Sequence, residues 1–443
     1  MRHVKLAGLG GARALAGMRN VSSVLLLFLA LTAGAKPILE GKPSPISEAD
    51  VAGLAPPSSV FHDGESADAR ADDMLRQWSA VAVTVPWTRL QLDLHIKHKT
   101  SPTRAARGLA LTHVAMHDAY EQAVAAHVSV KLAVSMAAAR VLGYLYVAEE
   151  RGFERIVFSL AAKEASTARD KLPADARRAI LLGKSVGDLA IKHAEADGAQ
   201  RGWNGSRLQW YGQGRYYGPG SWEPTPPYFF YPPDEPFAPT WHPWLLTAAS
   251  QFRPTPPLFG SARFTKDLKE LVKTNQNLTP EQLKIAKFWV DGSGSVTPPG
   301  HWNKIAIDEA IAAKLDDRTA AKLFAELNVA LADTFIATWD VKYFYWTVRP
   351  ITAAKKVLGI DLKLPILTPP FPSYVSGHGA FSGASARILG HFFPLHAEKL
   401  NAMAEEAALS RMYGGIHFRY DNEDGLALGR AVANLVLSQT DRW

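Results

Sequence analysis

Apolar side chains recur at helical spacing along most of this chain. In residues 101–124, SPTRAARGLALTHVAMHDAYEQAV, they fall at the three- and four-residue intervals of a helix that buries one face. Further helices are predicted over 303–316, 318–349, 377–393, 396–412 and 418–438. Because no strands alternate with these helices, a parallel sheet is not expected and the predicted fold class is all-α.

Residues 203–260 interrupt the helical pattern. Proline recurs there every few residues, which rules out a regular helix. The segment is also dense in tryptophan, tyrosine and phenylalanine, whereas disordered chains are poor in aromatic residues. We therefore predict a long, ordered, irregular segment that lies across the surface of the helical body. A carbohydrate-binding aromatic strip is the alternative.

These patterns divide the chain into four parts. Residues 1–35 are predicted to be a signal peptide, and 36–100 an N-terminal lead-in that is partly extended up to residue 80. Residues 101–260 form an N-terminal helical half that includes the aromatic and proline-rich segment, and 261–443 form a C-terminal helical half. The two halves are expected either as one large domain or as two fused units.

The signal peptide prediction rests on the order of basic, apolar and small residues. Basic residues precede the apolar run VLLLFLAL, and small residues suited to cleavage end at Ala35. The run is short for a membrane-spanning helix, but an uncleaved membrane anchor is an alternative. Translation could also begin at Met18 instead of Met1. The mature chain is expected to be exported, periplasmic or secreted, without stable membrane insertion.

Charge and cysteine content narrow the function classes. The formal net charge is +7, but residues 1–35 hold four basic and no acidic residues, so the remainder carries only +3. A chain this close to neutral lacks the excess of positive charge that is typical of nucleic-acid-binding proteins. The chain has 0 cysteines, which excludes disulfides, thiolate metal sites and cysteine nucleophiles.

The segment TWDVKYFYWTVRP, residues 338–350, places two cations among indoles. Its final proline predicts that the helix ends near Arg349. Lys342 and Arg349 are seven residues apart and thus share one helix face. Trp339 and Trp346 lie on the same stripe. Indoles prefer burial, and buried cations need an anion. The alternative is an amphipathic helix whose cations reach out to water.

The segment PSYVSGHGAFSGASA, residues 372–386, joins a serine–glycine–histidine run to a helix of small residues. A helix N-terminus presents unpaired N–H groups and the positive end of the helix dipole, which together bind oxyanions. Gly377 allows close backbone approach, Ser376 adds a hydroxyl donor, and His378 can exchange protons with the bound group. The small residues let the helix pack tightly. Alternatively, Ser376 only caps the helix and His378 is a surface residue.

The segment SRMYGGIHFRYDNEDG, residues 410–425, contains a glycine pair that should end one helix and start another. Arg411 then lies in the last turn of the first helix, and His417 near the start of the second. Asp421 follows one turn later and can accept a hydrogen bond from the imidazole. That bond leaves the other ring nitrogen free for attack or ligation. The alternative is an ordinary surface pair.

Together the three segments supply three cations, helix N-terminal donors and two histidines, an inventory that suits a tetrahedral oxyanion. Their spacing resembles the three-part motif of the superfamily of vanadium-dependent haloperoxidases and type 2 phosphatidic acid phosphatases (PAP2). The matching residues are Lys342, six residues and Arg349–Pro350; Pro372–Ser373 and Ser376–Gly377–His378; and Ser410–Arg411, five residues, His417 and Asp421. GSWEPTPPYF and FWVDGSGSVTPPGHWNKIA further resemble secreted bacterial haloperoxidases. The resemblance implies a large helical bundle with 261–443 as the catalytic domain.

For a haloperoxidase, the resemblance implies vanadate as cofactor, with hydrogen peroxide and halide as substrates. His417 is then the apical ligand of the vanadium, and His378 takes a proton from hydrogen peroxide. Lys342 polarises the peroxide. The residues implied to hold the equatorial oxygens are Lys342, Arg349, Ser376, Gly377 and Arg411.

The resemblance also implies neighbours of the anion site. Trp339 and Phe371 occupy positions that line the cofactor pocket, and Asp291 resembles an acid that pairs with Arg411. Val375 stands where the family usually has proline, and Gly379 where it usually has alanine. These departures leave the ligands intact and leave the halide preference open.

The same residues suit two other functions. In an exported acid phosphatase acting on phosphomonoesters without vanadate, His417 forms a phosphohistidine, His378 protonates the leaving group and Asp421 orients His417. A non-catalytic phosphate- or vanadate-binding protein could use the same ligands, although static binding needs no acid–base pair. A homodimer is an expectation that comes from the family alone.

His113 and His117 have the spacing of metal ligands on a helix. Without a catalytic glutamate between them, we expect a packed helix face rather than a metal site.

Overall fold

The computed structural model describes residues 38–57, 64–200 and 218–439, and this part of the chain contains fifteen α-helices and no β-strand. The all-α prediction is confirmed, while the predicted signal peptide lies outside the described residues. The helices are α1 (Glu48–Gly53), α2 (Gly64–Trp78), α3 (Thr84–Lys97), α4 (Pro102–Ala125), α5 (Val130–Leu145), α6 (Glu150–Glu164), α7 (Ala174–Ala196), α8 (Ala262–Gln276), α9 (Pro280–Phe288), α10 (Thr297–Ala312), α11 (Asp317–Tyr345), α12 (Pro350–Leu358), α13 (Gly377–Phe392), α14 (Ala397–Tyr413) and α15 (Arg419–Ser438). None of them combines the length and the hydropathy needed to cross a membrane.

The lead-in is more helical than predicted. Helices α1 and α2 both lie in the stretch up to residue 80 that was expected to be partly extended. Ala67, Ala71, Met74 and Trp78 of α2 are buried at three- and four-residue intervals and join the main hydrophobic core. This short apolar stripe lies among many polar residues, so its periodicity is weak in the sequence.

Helices from both predicted halves share one core. Helix α4 packs on α5, α7 and α11, and α11 packs on α13 and α15. Buried side chains from all of these helices belong to one continuous hydrophobic cluster. The described residues therefore form one compact unit, and a boundary between residues 260 and 261 stays a prediction.

Glycines bring α13 and α15 into backbone contact. A Cβ added at Gly383 would lie 2.3 Å from the Leu426 carbonyl oxygen, and one added at Gly429 would lie 1.9 Å from that of Ala380. No larger residue fits at this separation. The small residues of α13 thus place its N-terminus beside the start of α15, where two segments of the motif meet.

The aromatic and proline-rich segment is irregular, as predicted, over its described residues 218–260. Long-range polar contacts fix it to the helices. Arg104 of α4 forms a two-pronged ion pair with Glu235, at 2.5 and 2.9 Å. Asp333 of α11 accepts three backbone hydrogen bonds from residues 244–246, at 2.7, 2.8 and 3.0 Å. These contacts hold the segment in an ordered path against the helices.

Candidate active site

Helix α11 ends one turn earlier than predicted. It stops at Tyr345, and Trp346 adopts a left-handed conformation with φ of 55° and ψ of 42°. The prediction that Lys342 and Arg349 share one helix face is therefore wrong. A distant contact stabilises this turn, because the Trp222 N–H donates to the Trp346 carbonyl over 2.8 Å. The turn nevertheless directs both cations into the same buried region.

The ammonium of Lys342 is buried beneath the loop that precedes α13. It donates to three backbone carbonyls, those of Pro372 (3.0 Å), Ser373 (2.9 Å) and Val375. Burial, and then the charge of Arg349, lowers the pKa of Lys342 well below its usual range. All three ammonium hydrogens have acceptors, so Lys342 shapes the loop leading to Ser376. Its direct contact with an oxyanion stays a prediction.

Arg349 is buried and joins two parts of the motif. Its Nε donates to the Phe371 carbonyl over 2.8 Å, and its Nη1 to the Ile416 carbonyl over 2.9 Å. Its Nη2 is buried and has no hydrogen-bond partner among the described residues. Burial lowers the pKa of Arg349 to about 9. A buried guanidinium with a free nitrogen is a place where an anionic acceptor binds.

Ser376 caps α13, as the alternative interpretation of this segment held. Its hydroxyl accepts from a backbone N–H of the first turn over 3.3 Å, and its own N–H donates to the Asp421 carbonyl over 2.9 Å. His378 follows on the first turn, and its buried Nε2 has no hydrogen-bond partner in the part of the chain that the structure describes. Burial, and then the charge of Arg411, lowers the pKa of His378 well below its usual range. His378 is thus a neutral proton acceptor rather than a surface residue.

Arg411 lies in the last turn of α14, as predicted. Its Nε donates to the Ser410 hydroxyl over 2.8 Å, and its Nη2 to the Ala286 carbonyl over 3.1 Å. Burial lowers the pKa of Arg411 to about 9. Gly415, with φ of 73°, completes the turn that directs the chain from Arg411 toward α15.

His417 and Asp421 form a buried pair and not a surface pair. The imidazole Nδ1–H donates to Asp421 Oδ2 over 2.9 Å. The same oxygen accepts from the Ser373 hydroxyl over 2.6 Å and from the Phe418 N–H over 3.2 Å. Burial, and then the charge of Arg349, lowers the pKa of His417 well below its usual range. Burial also raises the pKa of Asp421 to about 7. The imidazole is thereby neutral, with its lone pair on Nε2.

Phe371 and Trp339 stand beside the cations, as predicted. The Phe371 ring centroid lies 5.1 Å from Lys342 Nζ and 4.9 Å from Arg349 Cζ, within the range of cation–π attraction. The Trp339 ring is 5.0 Å from that of Phe371, and its Nε1–H donates to the Asp234 carbonyl over 3.0 Å. The aromatic pair thus stabilises the positive charge and is anchored to the irregular segment.

The expected ion pair between Asp291 and Arg411 is not formed. In the described structure, Asp291 Oδ2 instead accepts from His301 Nδ1 over 2.9 Å. His301 in turn stacks on Trp289, with ring centroids 4.5 Å apart. Asp291 still acts on Arg411 through its charge, which opposes the lowering of the Arg411 pKa. His301 was not predicted as a neighbour of the site, although it lies in the segment FWVDGSGSVTPPGHWNKIA that resembles bacterial haloperoxidases.

A cavity of about 930 Å³ opens beside these side chains. The predicted residues that border it are Trp339, Phe371, Asp291, Gly377, His378, Arg411 and His417. Those that lie behind this layer are Lys342, Arg349, Ser376 and Asp421. The structure thus brings all three motif segments together around one cavity.

Two walls of the cavity were not predicted as parts of the site. One comes from residues 225–234 of the aromatic segment, and the other from residues 364–370, before Phe371. The density of aromatic residues and prolines in 203–260 was the available signal. Whether that segment shaped the fold or the site could not be read from the sequence, and residues 225–234 do both.

The histidine pair of α4 is confirmed as a packed helix face. His113 is buried and stacks on Phe324 with ring centroids 5.2 Å apart, and burial lowers its pKa to about 3. His117 Nδ1 lies 3.1 Å from Asp118 Oδ1. Among the described residues, no group of metal-ligating side chains is arranged to hold a metal ion.

Comparison with known proteins agrees with the geometry. Residues 322–362 and 392–443 match a family model described as the VCPO second helical-bundle domain. Vanadium chloroperoxidase from Curvularia inaequalis is 28% identical over 141 residues, which cover 26% of this chain and 23% of that protein. The match thus spans less than a quarter of this curated relative's length.

Among solved structures, the first bacterial vanadium-dependent iodoperoxidase superposes with a TM-score of 0.66 at 27% identity, over 79% of this chain and 95% of that one. The chain is thus similar in sequence and fold to vanadium haloperoxidases, which lie within the PAP2-like superfamily. Apo and holo structures of a bacterial vanadium-dependent chloroperoxidase give TM-scores of 0.58 and 0.60 at 14% identity. They cover 77% of this chain and 92% and 93% of theirs, and show the fold alone.

The haloperoxidase family match and the local geometry complement each other. The matched residues include Lys342, Arg349, Arg411 and His417, but they leave out the stretch 363–391. That stretch holds the cap of α13 and its histidine, whose place in the site therefore rests on the described contacts.

Proposed function

We propose that this chain is a vanadium haloperoxidase that oxidises halide with hydrogen peroxide to hypohalous acid, with vanadate bound among its buried cations. One observation carries the proposal. Among the described residues, Arg349 Nη2 and His378 Nε2 are buried without hydrogen-bond partners, and the fold brings both residues close to the neutral imidazole of His417. A free cationic donor and a free proton acceptor suit an oxyanion that reacts with a protic oxidant.

The charges of the site fit such an anion. Lys342, Arg349 and Arg411 are buried, and the carboxylates that act on them are Asp421 and Asp291. Burial raises the pKa of Asp421 to about 7. Near neutral pH this carboxyl group therefore carries only part of a negative charge. A bound oxyanion therefore supplies the negative charge that buried cations require.

When bound, vanadate supplies a Lewis-acidic centre that activates hydrogen peroxide for attack by halide. The residues of the chain bind and orient it. His417 offers the Nε2 lone pair, because Asp421 holds the proton of Nδ1. The residues that we propose to hold the remaining oxygens are Lys342, Arg349, Ser376, Gly377 and Arg411, with the α13 N-terminus as an anion-binding end.

His378 moves the proton in this scheme. Its neutral Nε2 accepts a proton from hydrogen peroxide and returns it to the oxygen that leaves as water. Halide, hydrogen peroxide and one further proton thus give hypohalous acid and water. The lowered pKa of His378 keeps Nε2 available as an acceptor below the usual histidine range.

A phosphatase is the second candidate, and the His417–Asp421 pair favours it. A carboxylate that orients a neutral imidazole also prepares Nε2 for attack on phosphorus, with His378 as the acid for the leaving group. One pocket can serve both chemistries, because vanadate resembles the transition state of phosphoryl transfer.

Paired assays on one metal-free preparation of the mature chain separate the candidates. One arm adds orthovanadate, hydrogen peroxide and bromide and follows bromination of a phenolic dye, and the other follows p-nitrophenyl phosphate hydrolysis without vanadate. We expect vanadate-dependent bromination that is lost in His417→Ala and kept in His391→Ala, which alters the far end of α13. Phosphate release that vanadate inhibits, without bromination, would instead establish the phosphatase.

Export is part of the proposal. Removal of residues 1–35 would leave a chain that begins at Lys36, and N-terminal sequencing of protein recovered from the medium or periplasm tests this. A homodimer stays a prediction that sedimentation can check.

A further inference from the structure

The backbone carbonyl of Asp234 accepts hydrogen bonds from two aromatic side chains of α11. The indole Nε1–H of Trp339 donates to it over 3.0 Å, and the hydroxyl of Tyr343 donates over 2.5 Å. Both side chains are buried, with Trp339 3% and Tyr343 1% exposed. The Asp234 N–H donates in turn to the carbonyl of Pro370 over 3.0 Å. Asp234 therefore connects α11 to the loop that carries Phe371.

The two rings that Asp234 connects lie against the buried cations. The centroids of Trp339 and Phe371 are 5.0 Å apart. Lys342 Nζ lies 5.9 Å from the first centroid and 5.1 Å from the second, and Arg349 Cζ lies 4.9 Å from the second. At these separations the rings attract the positive charges. A displacement of Asp234 would therefore disturb groups that contact the anion site directly.

The residue after Asp234 is fixed by an ion pair that lies outside the cavity lining. Glu235 is 4% exposed, and Arg104 of α4 donates to both of its carboxylate oxygens, at 2.5 and 2.9 Å. The same guanidinium donates to the Ala199 carbonyl over 2.9 Å and lies 4.7 Å from the ring centroid of Trp241. A planar guanidinium held on several sides is a rigid anchor for the chain that it binds.

We infer that Arg104 and Glu235 are positioning residues of the anion site. Their ion pair holds the Asp234 carbonyl in place, and that carbonyl keeps the aromatic pair of Trp339 and Phe371 against the buried cations. The ion pair thereby raises the affinity for the oxyanion without touching it. Outer partners of a binding site act in this way when they fix the orientation of the groups that line it. The inference rests on the proposed function, because the oxyanion used to measure it is vanadate.

Two matched arginine variants of the metal-free mature chain test this role by isothermal calorimetry. Arg104→Lys keeps the charge but cannot bind both Glu235 oxygens as the fork does. Its Kd for vanadate should rise about tenfold, the lower end of what the loss of an outer partner costs a metal site. Glu235→Gln should give a similar rise from the other side of the pair.

Arg107→Lys is the control, because Arg107 forms a similarly buried ion pair three residues further along α4. Its guanidinium donates to Asp197 over 2.6 Å and to the Ala194 carbonyl over 2.8 Å. The vanadate Kd should stay at the wild-type value in this variant. Equal rises in Arg104→Lys and Arg107→Lys would reduce the pair to general support of the fold and overturn the inference. Wild-type affinity in both Arg104→Lys and Glu235→Gln would overturn it as well.

A double-mutant cycle shows whether the ion pair acts through the aromatic side chain. Trp339→Phe removes the N–H that reaches the Asp234 carbonyl and keeps an aromatic ring. In this background the effect of Arg104→Lys should fall from about tenfold to about threefold, because coupled residues do not add and only the link through Pro370 and Tyr343 remains. An undiminished effect would contradict the positioning role.

The indole N–H of Trp339 reports on the same contact without vanadate. In full chain carrying isotope-labelled tryptophan, its NMR resonance, assigned with Trp339→Phe, should move upfield in Arg104→Lys and stay in place in Arg107→Lys. A longer hydrogen bond shields the proton, which gives the direction. An unmoved resonance in Arg104→Lys overturns the inference whatever vanadate does. Absence of vanadate binding in the wild type refutes the proposed function, and the resonance then decides the positioning role alone.

Discussion

Arg349 Nη1 lies 3.2 Å from Nε2 of His417. That nitrogen is the one that Asp421 leaves free, because Asp421 holds the Nδ1–H over 2.9 Å. The guanidinium also donates to the carbonyl of Ile416, the neighbour of His417. The first and last parts of the motif are thus joined at the imidazole itself, and its lone pair faces a buried cation rather than bulk water.

Asp421→Asn should weaken vanadate binding by about 10–100-fold, since the partner of a ligating histidine fixes its tautomer and orientation. The amide can donate to Nδ1 and so favours the wrong tautomer. Titration of vanadate into the metal-free protein, followed by isothermal calorimetry, measures the effect.

Asp267 provides a matched control at the same helix start. Its Oδ2 accepts a hydrogen bond over 3.1 Å from the N–H of Tyr420, the residue before Asp421. Asp267→Asn alters the same helix start without touching the imidazole. Vanadate affinity should therefore be kept, and an equal loss in both variants would contradict the assigned role of Asp421.

Arg349→Lys should lower vanadate affinity at least about tenfold although the charge is kept. Lysine cannot reproduce the planar fork that reaches Phe371, Ile416 and His417 at once. Arg253→Lys, at an ion pair with Asp340 outside the cavity, is the control, and the same calorimetric titration serves. Wild-type affinity in Arg349→Lys would argue that charge alone holds the anion.

Gly429→Ala should destabilise the protein by about 3 kcal/mol, because the added methyl group would lie 1.9 Å from the Ala380 carbonyl oxygen and force α13 and α15 apart. Gly152→Ala, on α6 with open space around it, should instead stabilise by about 0.5–1 kcal/mol. Urea unfolding followed by circular dichroism compares them. Equal stability of the two variants would contradict the close helix contact.

Glu326→Gln should change how stability depends on pH. Glu326 is 2% exposed, its Oε2 has no partner, and burial raises its pKa from 4.5 to about 7. The unfolded chain therefore releases this proton at lower pH than the folded one, and stability is lost as pH rises from 4.5 to 7.

The variant lacks this titration. Its advantage over the wild type should be on the order of 2 kcal/mol at pH 8 and disappear near pH 4. Urea unfolding at the two pH values measures the difference. If the free energy of unfolding changed equally with pH in the two proteins, burial of Glu326 would carry no cost for its ionised form.

The anion-site residues could be predicted because their chemistry is uncommon in combination. Few functions need cations, a serine–glycine–histidine helix start and a histidine–aspartate pair in one chain. The structure brings these groups together. The end of α11 could not be predicted. Its helical stripe continues in sequence through Trp346 to Arg349. The left-handed turn at Trp346 instead accepts a hydrogen bond from Trp222, more than a hundred residues away.

The surroundings of the site were harder to predict for a related reason. Lys342 donates hydrogen bonds to carbonyls some thirty residues further along the chain, and Asp291 bonds to His301 instead of Arg411. These partners depend on distances that only tertiary packing sets. The same holds for the aromatic wall, whose composition signalled order but not its position beside the cavity.

Equilibrium dialysis of vanadate against the metal-free chain, with His417→Ala dialysed alongside, tests the oxyanion site without turnover. We expect about one vanadate per wild-type chain, displaced by phosphate, and little retention by the variant. Equal retention by both proteins, or none by the wild type, would contradict the claim that the residues around His417 form an oxyanion site.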